Sequence, residues 1–146
     1  MKKKFSTSWK SSKRPGKQRK YKANAPLHLK KKFLGANLSK ELRKKYGRKS
    51  LIPRKGDVVK IMRGGFKKKT GKVAGVDTKN MKVEVEGIQV KKQDGSKVNV
   101  KFNPSFLQVT EINTEDKERN ESIGRSKKKA EKQAQVNEAK EDKNAS

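Results

Sequence analysis

A short loop flanked by glycines carries a dense group of cationic side chains. Gly64 and Gly65 precede three consecutive lysines, Lys67–Lys69, and Gly71 follows them. Glycine lets a backbone turn sharply and approach a ligand closely, and lysine ammonium groups bind the phosphate oxygens of nucleic acids. The loop therefore predicts contact with the phosphate backbone of a folded RNA, and a solvated hairpin loop is the plainer alternative.

The net charge indicates the same kind of partner. The 146 residues include 42 Lys and Arg against 15 Asp and Glu, which gives a formal charge of +27. The whole surplus lies before residue 111, where 33 basic residues face 6 acidic ones, while residues 111–146 hold 9 of each. Such an excess repels itself unless a polyanion neutralises it. We therefore expect nucleic acid to contact the first three quarters of the chain and not the rest.

Other classes of function find little support in the sequence. His28 is the one histidine, it has no second metal-type ligand near it, and there is no cysteine; we therefore expect no catalytic centre, metal site or cofactor. Glu84 and Glu86 share a face of a predicted strand, but Lys82 beside them indicates cross-strand ion pairs. No stretch approaches the ~20 apolar residues of a membrane span, and no apolar run follows the basic start to make a signal peptide. We expect a cytoplasmic protein without a small-molecule substrate.

The elements that must position these cations divide the chain into four parts, of which the two ends are the least regular. Residues 1–23 are rich in Lys, Arg and Ser without helical or strand periodicity, so they predict a basic unstructured arm that orders on RNA. Trp9 in this arm either stacks on an unpaired base or packs on the protein itself. Residues 113–146 form a charged, low-complexity tail, which we expect to be disordered or helical only on contact.

Residues 24–53 predict two short helices. Asn24 is placed to cap the first helix, and Asn37 or Ser39 to cap the second. The apolar residues of the first are Leu27, Leu29, Phe33 and Leu34. Those of the second repeat every four residues, at Leu38, Leu42 and Tyr46. Gly47 then stands where a helix ends in the left-handed conformation.

Residues 54–112 change to a period of two, which is typical of half-buried strands. Short turns separate the alternating runs, and Asp94-Gly95 is suited to the turn of a hairpin. Five or six short antiparallel strands are too few for a sandwich of two sheets, but they can curl into a small barrel with few open edges. The predicted fold class is therefore mainly β: a small SH3-like barrel with a basic N-terminal arm, two short helices and a disordered C-terminal tail.

The loop and its flanking strands, residues 56–77, resemble a KOW motif. The surrounding sequence is similar to the universal large-subunit ribosomal protein family numbered twenty-four in bacteria and archaea, whose eukaryotic counterpart is numbered twenty-six. The resemblance covers roughly residues 10–112. It rests on Asn24-Ala25-Pro26-Leu27-His28-Leu29, Leu38-Ser39-Lys40-Glu41-Leu42-Arg43-Lys44-Lys45-Tyr46-Gly47, Arg54-Lys55-Gly56-Asp57, Thr70-Gly71-Lys72-Val73, Val85-Glu86-Gly87 and Lys91-Lys92-Gln93-Asp94-Gly95. One departure is that many KOW loops have a Lys-Gly pair where this chain has Lys67-Lys68.

Membership of this family implies a structural, non-enzymatic constituent of the large ribosomal subunit in the cytoplasm. It further implies binding to the 5′ region of the large ribosomal RNA, an early role in subunit assembly, a position near the outlet of the nascent-chain tunnel, and neighbouring ribosomal proteins as partners. The alternative is a KOW-type transcription elongation factor, which is expected to bring a further folded domain that the basic N-terminal third does not supply.

The candidate rRNA-binding residues are the cations of the first three parts, the KOW loop and one aromatic side chain in the arm. In the arm they are Trp9, Lys13, Arg14, Lys17, Arg19, Lys20 and Lys22. In the helical part they are His28, Lys30, Lys31, Lys32, Lys40, Arg43, Lys44, Arg48 and Lys49. In the predicted barrel they are Arg54, Lys55, Arg63, Gly64, Gly65, Phe66, Lys67, Lys68, Lys69, Thr70, Gly71, Lys72, Lys91 and Lys92.

Overall fold

A seven-stranded sheet forms most of the fold. The computed structural model describes residues 5–9 and 11–124, except for the side chain of Trp9. Within this part the strands are β1 (Ala36–Leu38), β2 (Ser50–Leu51), β3 (Val58–Ile61), β4 (Thr70–Asp77), β5 (Lys82–Lys91), β6 (Lys97–Phe102) and β7 (Leu107–Glu111). They lie in the order β2-β1-β7-β3-β4-β5-β6. Neighbours are antiparallel, except that β1 runs parallel to β7.

Strand β4 belongs to both halves of this sheet. Its first residues, Thr70–Lys72, pair with β3, and residues 73–77 pair with β5, with a register shift between Val73 and Gly75. Such irregularities bend a strand. The buried core accordingly includes both Leu38 of β1 and Phe102 of β6, whose strands stand five places apart in the order. In a flat sheet they would lie ~24 Å apart, so the sheet must curl around its core.

The prediction of a mainly β fold with short helices is confirmed, and the bent sheet is consistent with an SH3-like form. Strands β3 to β7 all lie within the predicted barrel segment. The predicted hairpin is β5 and β6, with Val90 opposite Val98. Its turn is closed by Asp94, whose Oδ1 accepts the backbone N–H of Ser96 at 2.9 Å. The local alternation of apolar residues was therefore enough to place this part of the sheet.

The α-helices precede β3 in the described part of the chain, apart from one helical segment that follows β7. They are α1 (Pro15–Asn24), α2 (Leu27–Phe33) and α3 (Lys40–Tyr46), with 3-10 turns at Thr7–Trp9 and Pro104–Phe106 and a helical segment at 117–124. Helix α3 has the predicted ends. Ser39 Oγ accepts the backbone N–H of Leu42 at 3.3 Å, and Gly47 terminates the helix with φ of 62°.

Helix α1 corrects the expectation of an unstructured arm over residues 1–23. Pro15 occupies the first turn, where its missing N–H costs no hydrogen bond, and the Lys, Arg, Gln and Ala that follow are good helix formers. The helix has no buried face, so periodicity could not reveal it. The helix is instead held to the rest of the chain by Tyr21, whose ring lies 5.0 Å from that of Phe5 and 6.0 Å from that of Phe33 in α2.

Two predicted details of the helical part are also corrected. Asn24 is the last residue of α1 and does not cap α2, which starts after Pro26 without a side-chain cap. The proline restricts the residue before it to extended backbone, which breaks the helix at that point. Leu38 lies in β1 and is fully buried there, so it does not belong to the apolar stripe of α3.

The packed structure extends beyond the predicted barrel of residues 54–112 on both sides. Strand β1 pairs with β7 and with β2, which places residues before 54 in the same sheet. After β7, residues 113–124 fold back against the domain, and Ile123 is buried there. The predicted tail is thus ordered as far as residue 124, because it does have an apolar side chain to bury. Its remaining residues, 125–146, lie outside the described part of the chain.

Candidate nucleic-acid interface

The loop between β3 and β4 is held in shape by its own backbone. Ile61 donates its N–H to the carbonyl of Lys69 at 2.9 Å, and Lys68 donates its N–H to the carbonyl of Ile61 at 2.8 Å. Within the loop, Lys67 N–H donates to Gly64 O at 3.1 Å. The side chains of Lys67–Lys69 are all exposed. Three cations therefore project from a hydrogen-bonded backbone and not from a loose strand connection.

Lys68 holds the position where many KOW loops have glycine, and its backbone shows why glycine is favoured there. Its φ is 75°, in the left-handed region. That conformation costs a residue with a Cβ roughly 1–2 kcal/mol. The loop thus keeps the glycine-type turn and adds a third ammonium group to it. Gly64, with φ of 91°, supplies the other left-handed turn of the loop.

Phe66 and Gly71, both candidate contact residues, serve the packing of the loop. The ring of Phe66 packs against the core, edge-to-face with Phe102 at 6.0 Å, and Lys69 Nζ lies 5.4 Å from the Phe66 ring centre. At Gly71 a Cβ would come within 2.8 Å of Val85 Cγ1 and 2.9 Å of the carbonyl oxygen of Glu86. Strand β5 therefore requires glycine at this position, independently of any ligand.

The arm and the helical part form a second group of cations. On α1 the candidate cations Lys17, Arg19, Lys20 and Lys22 are exposed. Lys31 and Lys32 of α2 line a groove of about 510 Å³ together with Arg48 and Arg54, and residues of the 117–124 segment form its other wall. Lys30 Nζ donates to the carbonyl of Lys79 at 3.3 Å, which ties α2 to the β4–β5 turn.

The remaining candidates are spread over other parts of the surface. Exposed cations before β3 and on β4 are Lys40, Lys44, Lys49, Lys55 and Lys72, and exposed residues of the β3–β4 loop and its end are Arg63, Gly65 and Thr70. His28 is exposed on α2, and Lys13 and Arg14 precede α1. Arg43 is half-buried and its Nε donates to the carbonyl of Leu38 at 2.9 Å, so it supports the fold. Lys91 and Lys92 lie at the tip of the β5–β6 hairpin.

A buried ion pair was missed by the sequence reasoning. Asp57 and Arg119 are 0% and 5% exposed, and Arg119 donates to both carboxylate oxygens of Asp57. Asp116 caps the helical segment that contains Arg119, since its Oδ1 accepts the backbone N–H of Arg119 at 3.0 Å. An aspartate at this position is a local signal for the start of a helix. No local signal indicates the pairing itself. Arg54, a candidate contact, forms an exposed ion pair with Asp116.

Three acidic side chains of the sheet and its turns, Asp77, Glu84 and Asp94, have structural partners. Glu84 pairs with Lys101 across the strands at 3.3 Å, which confirms the predicted type of cross-strand ion pair for this residue. Hydrogen bonds from the backbone N–H and the side chain of Asn80 lower the pKa of Asp77. The hydroxyl and the backbone N–H of Ser96 likewise lower the pKa of Asp94. Asp77 and Asp94 therefore fix turns, Glu84 joins two strands, and none of the three is next to the Lys67–Lys69 cluster in sequence.

Neither a metal cluster nor a membrane span is found in the described residues. Among residues 5–9 and 11–124 there is no group of three or more His, Cys, Asp or Glu arranged to hold a metal ion. Over the same residues, every helix is too short or too polar to cross a membrane.

Comparisons with known proteins match nearly the whole of this described structure. A family model that describes the eukaryotic L26 and archaeal L24 ribosomal proteins matches residues 12–126. The large ribosomal subunit protein uL24 of Methanosphaera stadtmanae is 46% identical over 114 residues, which cover 78% of this chain and 97% of that protein. The protein of the same name from Methanocorpusculum labreanum is 47% identical over 106 residues, covering 73% of this chain and 88% of that protein.

Proposed function

This chain belongs to the family of archaeal L24 and eukaryotic L26 ribosomal proteins, as its sequence predicts, and we propose that it is a structural, rRNA-binding constituent of the large ribosomal subunit. The observation that carries the proposal is the exposed Lys67–Lys69 cluster on a hydrogen-bonded loop. Its work is to bind and neutralise phosphates so that RNA segments can approach each other. No step of this function requires a turnover reaction, a metal ion or a cofactor.

The rigidity of the loop favours binding. A flexible lysine loses side-chain and backbone freedom when it binds, and that loss opposes association. Here the backbone is already fixed by its own hydrogen bonds and by the packing of Phe66 on the core. Only the lysine side chains of the loop remain to be ordered by RNA. The loop is thus suited to a fixed docking position on folded RNA rather than to sliding contact.

The helical surface extends this interface. Residues 1–40 contain 14 Lys and Arg and no Asp or Glu. On helix α1 the side chains of Arg19, Lys20 and Lys22 are exposed, so they are accessible to a partner. We propose that the cations of α1 and α2 contact RNA segments beside the one bound by the loop, while the half-buried Arg43 and the packed Phe66 and Gly71 act by keeping the shape of the surface.

Family resemblance supports three finer parts of the proposal. They are binding to the 5′ region of the large-subunit rRNA, action early in subunit assembly, and a position near the outlet of the nascent-chain tunnel. Neighbouring large-subunit proteins are then further partners, and the site of action is the ribosome in the cytoplasm.

Sedimentation of an epitope-tagged copy tests the proposal. In a sucrose gradient of cell lysate, the tagged chain should peak with large ribosomal subunits at low salt and remain there at moderate salt. Migration as free monomer, or together with RNA polymerase, would contradict it, and the second result would favour a transcription factor. A tagged cytosolic protein of similar mass that does not bind RNA serves as the control for trapping.

A further inference from the structure

A cleft of about 450 Å³ lies between the 3-10 turn at Thr7–Trp9, α1 and α2, and none of its lining residues belongs to the Lys67–Lys69 loop. Its apolar wall is made by Tyr21, Leu29 and Phe33, and its polar wall includes Lys22 and Lys32. The volume is in the lower part of the range usual for small-molecule sites. The cleft therefore has room for one planar group.

The aromatic wall has a fixed support and an open face. Tyr21 lies between two rings, 5.0 Å from Phe5 at an interplanar angle of 45° and 6.0 Å from Phe33 at 61°. These tilted contacts hold the Tyr21 and Phe33 rings against each other. Phe33 nevertheless remains 38% exposed. Part of its ring is thus available to a planar ligand in the cleft.

The charges around the cleft select the class of ligand. Lys22 and Lys32 stand among its lining residues, and none of the lining residues is acidic. The nearest acidic residue in sequence is Glu41, beyond the whole arm and α2. A ligand that suits this site is planar and aromatic in one part and anionic beside it. An RNA nucleotide with its flanking phosphates meets both conditions, whereas an apolar peptide would leave the two lysines without counter-charge.

We propose that this cleft binds one unpaired base of RNA, stacked on Phe33, with Lys22 and Lys32 on the adjacent phosphates. The inference rests on the proposed function for the identity of the polymer and deepens it, since it assigns single-stranded RNA to the α1–α2 surface. Stacking uses the π face that all bases share, so the site tolerates different bases. Its role is to hold the arm against a splayed nucleotide while the loop binds the folded RNA backbone.

The test uses the full chain and a single-stranded decamer of oligouridylate with one central 2-aminopurine, whose fluorescence falls on stacking. Binding should quench this fluorescence. Phe33→Leu should abolish the quenching and weaken binding about 5-fold or more, the low end for one base–aromatic stack. It should leave the salt dependence of binding unchanged, because every cation that binds a phosphate remains. Phe33→Tyr should restore both signals, and Leu27→Ala, which changes a more exposed residue of the same helix, should have no effect.

A second measurement leaves the protein unaltered. A decamer with an abasic site in place of the 2-aminopurine keeps every phosphate, and it should bind about 5-fold more weakly than the intact decamer. Equal affinity for the two decamers, or equal quenching by the unmodified chain and Phe33→Leu, would overturn the proposal. Failure of this kind is distinguishable from failure of the proposed function, because Phe33→Leu would still sediment with large subunits through its loop.

Discussion

Arg119 donates to both carboxylate oxygens of Asp57 from a position 62 residues further along the chain, with Nη1–Oδ1 at 2.7 Å and Nη2–Oδ2 at 2.6 Å. The same carboxylate accepts the backbone N–H of Arg54 at 2.8 Å and that of Asn113 at 2.9 Å. One buried side chain thus joins the turn before β3, the chain after β7 and the helical segment at 117–124. Through its bond to the backbone of Arg54, Asp57 helps to position one wall of the groove that Lys31, Lys32, Arg48 and Arg54 line.

Removing Arg119 should cost much more stability than its position near the end of the described chain suggests. Arg119→Ala leaves the Asp57 carboxylate buried without its counter-charge, and breaking a buried pair in this way lowers the free energy of unfolding by about 3–5 kcal/mol. Urea denaturation followed by circular dichroism measures the decrease. The control is Arg54→Ala, which removes an exposed ion pair and should cost less than about 1 kcal/mol. Equal decreases in the free energy of unfolding of the two variants would show that the buried Asp57–Arg119 pair contributes no more to stability than the exposed pair.

The left-handed backbone of Lys68 predicts an inversion of the usual order of glycine and alanine. Lys68→Gly should be more stable than Lys68→Ala by about 1 kcal/mol, because glycine adopts a φ of 75° without strain. At Lys67, whose φ is not positive, Lys67→Ala should be at least as stable as Lys67→Gly. Thermal unfolding of the four variants compares the pairs at equal charge. The same order at both positions would mean that the loop does not hold Lys68 in this conformation.

Replacing a glycine inside a strand with alanine usually stabilises the strand. At Gly71 we expect the opposite, because the added methyl group would clash with β5. Gly71→Ala would bring its Cβ to 2.8 Å from Val85 Cγ1 and 2.9 Å from the backbone oxygen of Glu86. Relief of that overlap moves β4 away from β5, and we expect the free energy of unfolding to fall by roughly 1–3 kcal/mol. Gly65→Ala is the matched control, since nothing lies within 4 Å of its added Cβ. Equal unfolding temperatures of the two variants would contradict the conclusion that β5 packs too closely on Gly71 to admit a methyl group.

Local patterns predicted the elements whose cause is local. The alternation from Val83 to Phe102 indicated the β5–β6 hairpin, and the pair of Ser39 and Gly47 indicated the ends of α3, because each depends on neighbouring residues. The loop at Lys67–Lys69 was found for the same reason. No acidic residue lies between Asp57 and Asp77, so the positive charge of the loop could be predicted from the sequence alone.

Features that depend on partners distant in sequence could not be predicted in this way. Helix α1 has no apolar stripe and is stabilised by rings outside it, so its sequence resembles an unfolded basic arm. Strand β1 is too short to show a period, and its partner β7 follows some seventy residues later. The Asp57–Arg119 pair joins two segments that lie 62 residues apart, and no local pattern links them. These contacts become evident only once the sheet has curled.

The hairpin tip predicts a pH dependence with a defined direction. The Ser96 hydroxyl donates to Asp94 Oδ1 at 2.6 Å, and its backbone N–H donates at 2.9 Å; both lower the pKa of Asp94 below its usual value of 3.8. Because the pKa of Asp94 is lower in the folded state than in the unfolded state, the ionised carboxylate stabilises the fold at pH values above 3.8. This contribution is lost as the pH falls below 3.8 and through the lower pKa of the folded state. Ser96→Ala removes the larger cause and should raise the pKa of Asp94. Carboxyl NMR titration measures it, with Asp77 as the unchanged internal control; an unaltered Asp94 titration would refute the contact.

The salt dependence of binding to protein-free large-subunit rRNA tests most directly whether the KOW loop docks on RNA. Two triple variants carry the same net charge: Lys67, Lys68 and Lys69 to Ala in the loop, and Lys45, Lys97 and Lys117 to Ala at exposed positions outside the proposed interface. The slope of log K against log salt is negative, and the loop variant should reduce its magnitude by about 0.7–0.9 for each phosphate that it no longer neutralises, whereas the control variant should leave the slope unchanged. An unchanged slope in the loop variant, or equal changes in both, would contradict the proposal that this loop binds rRNA.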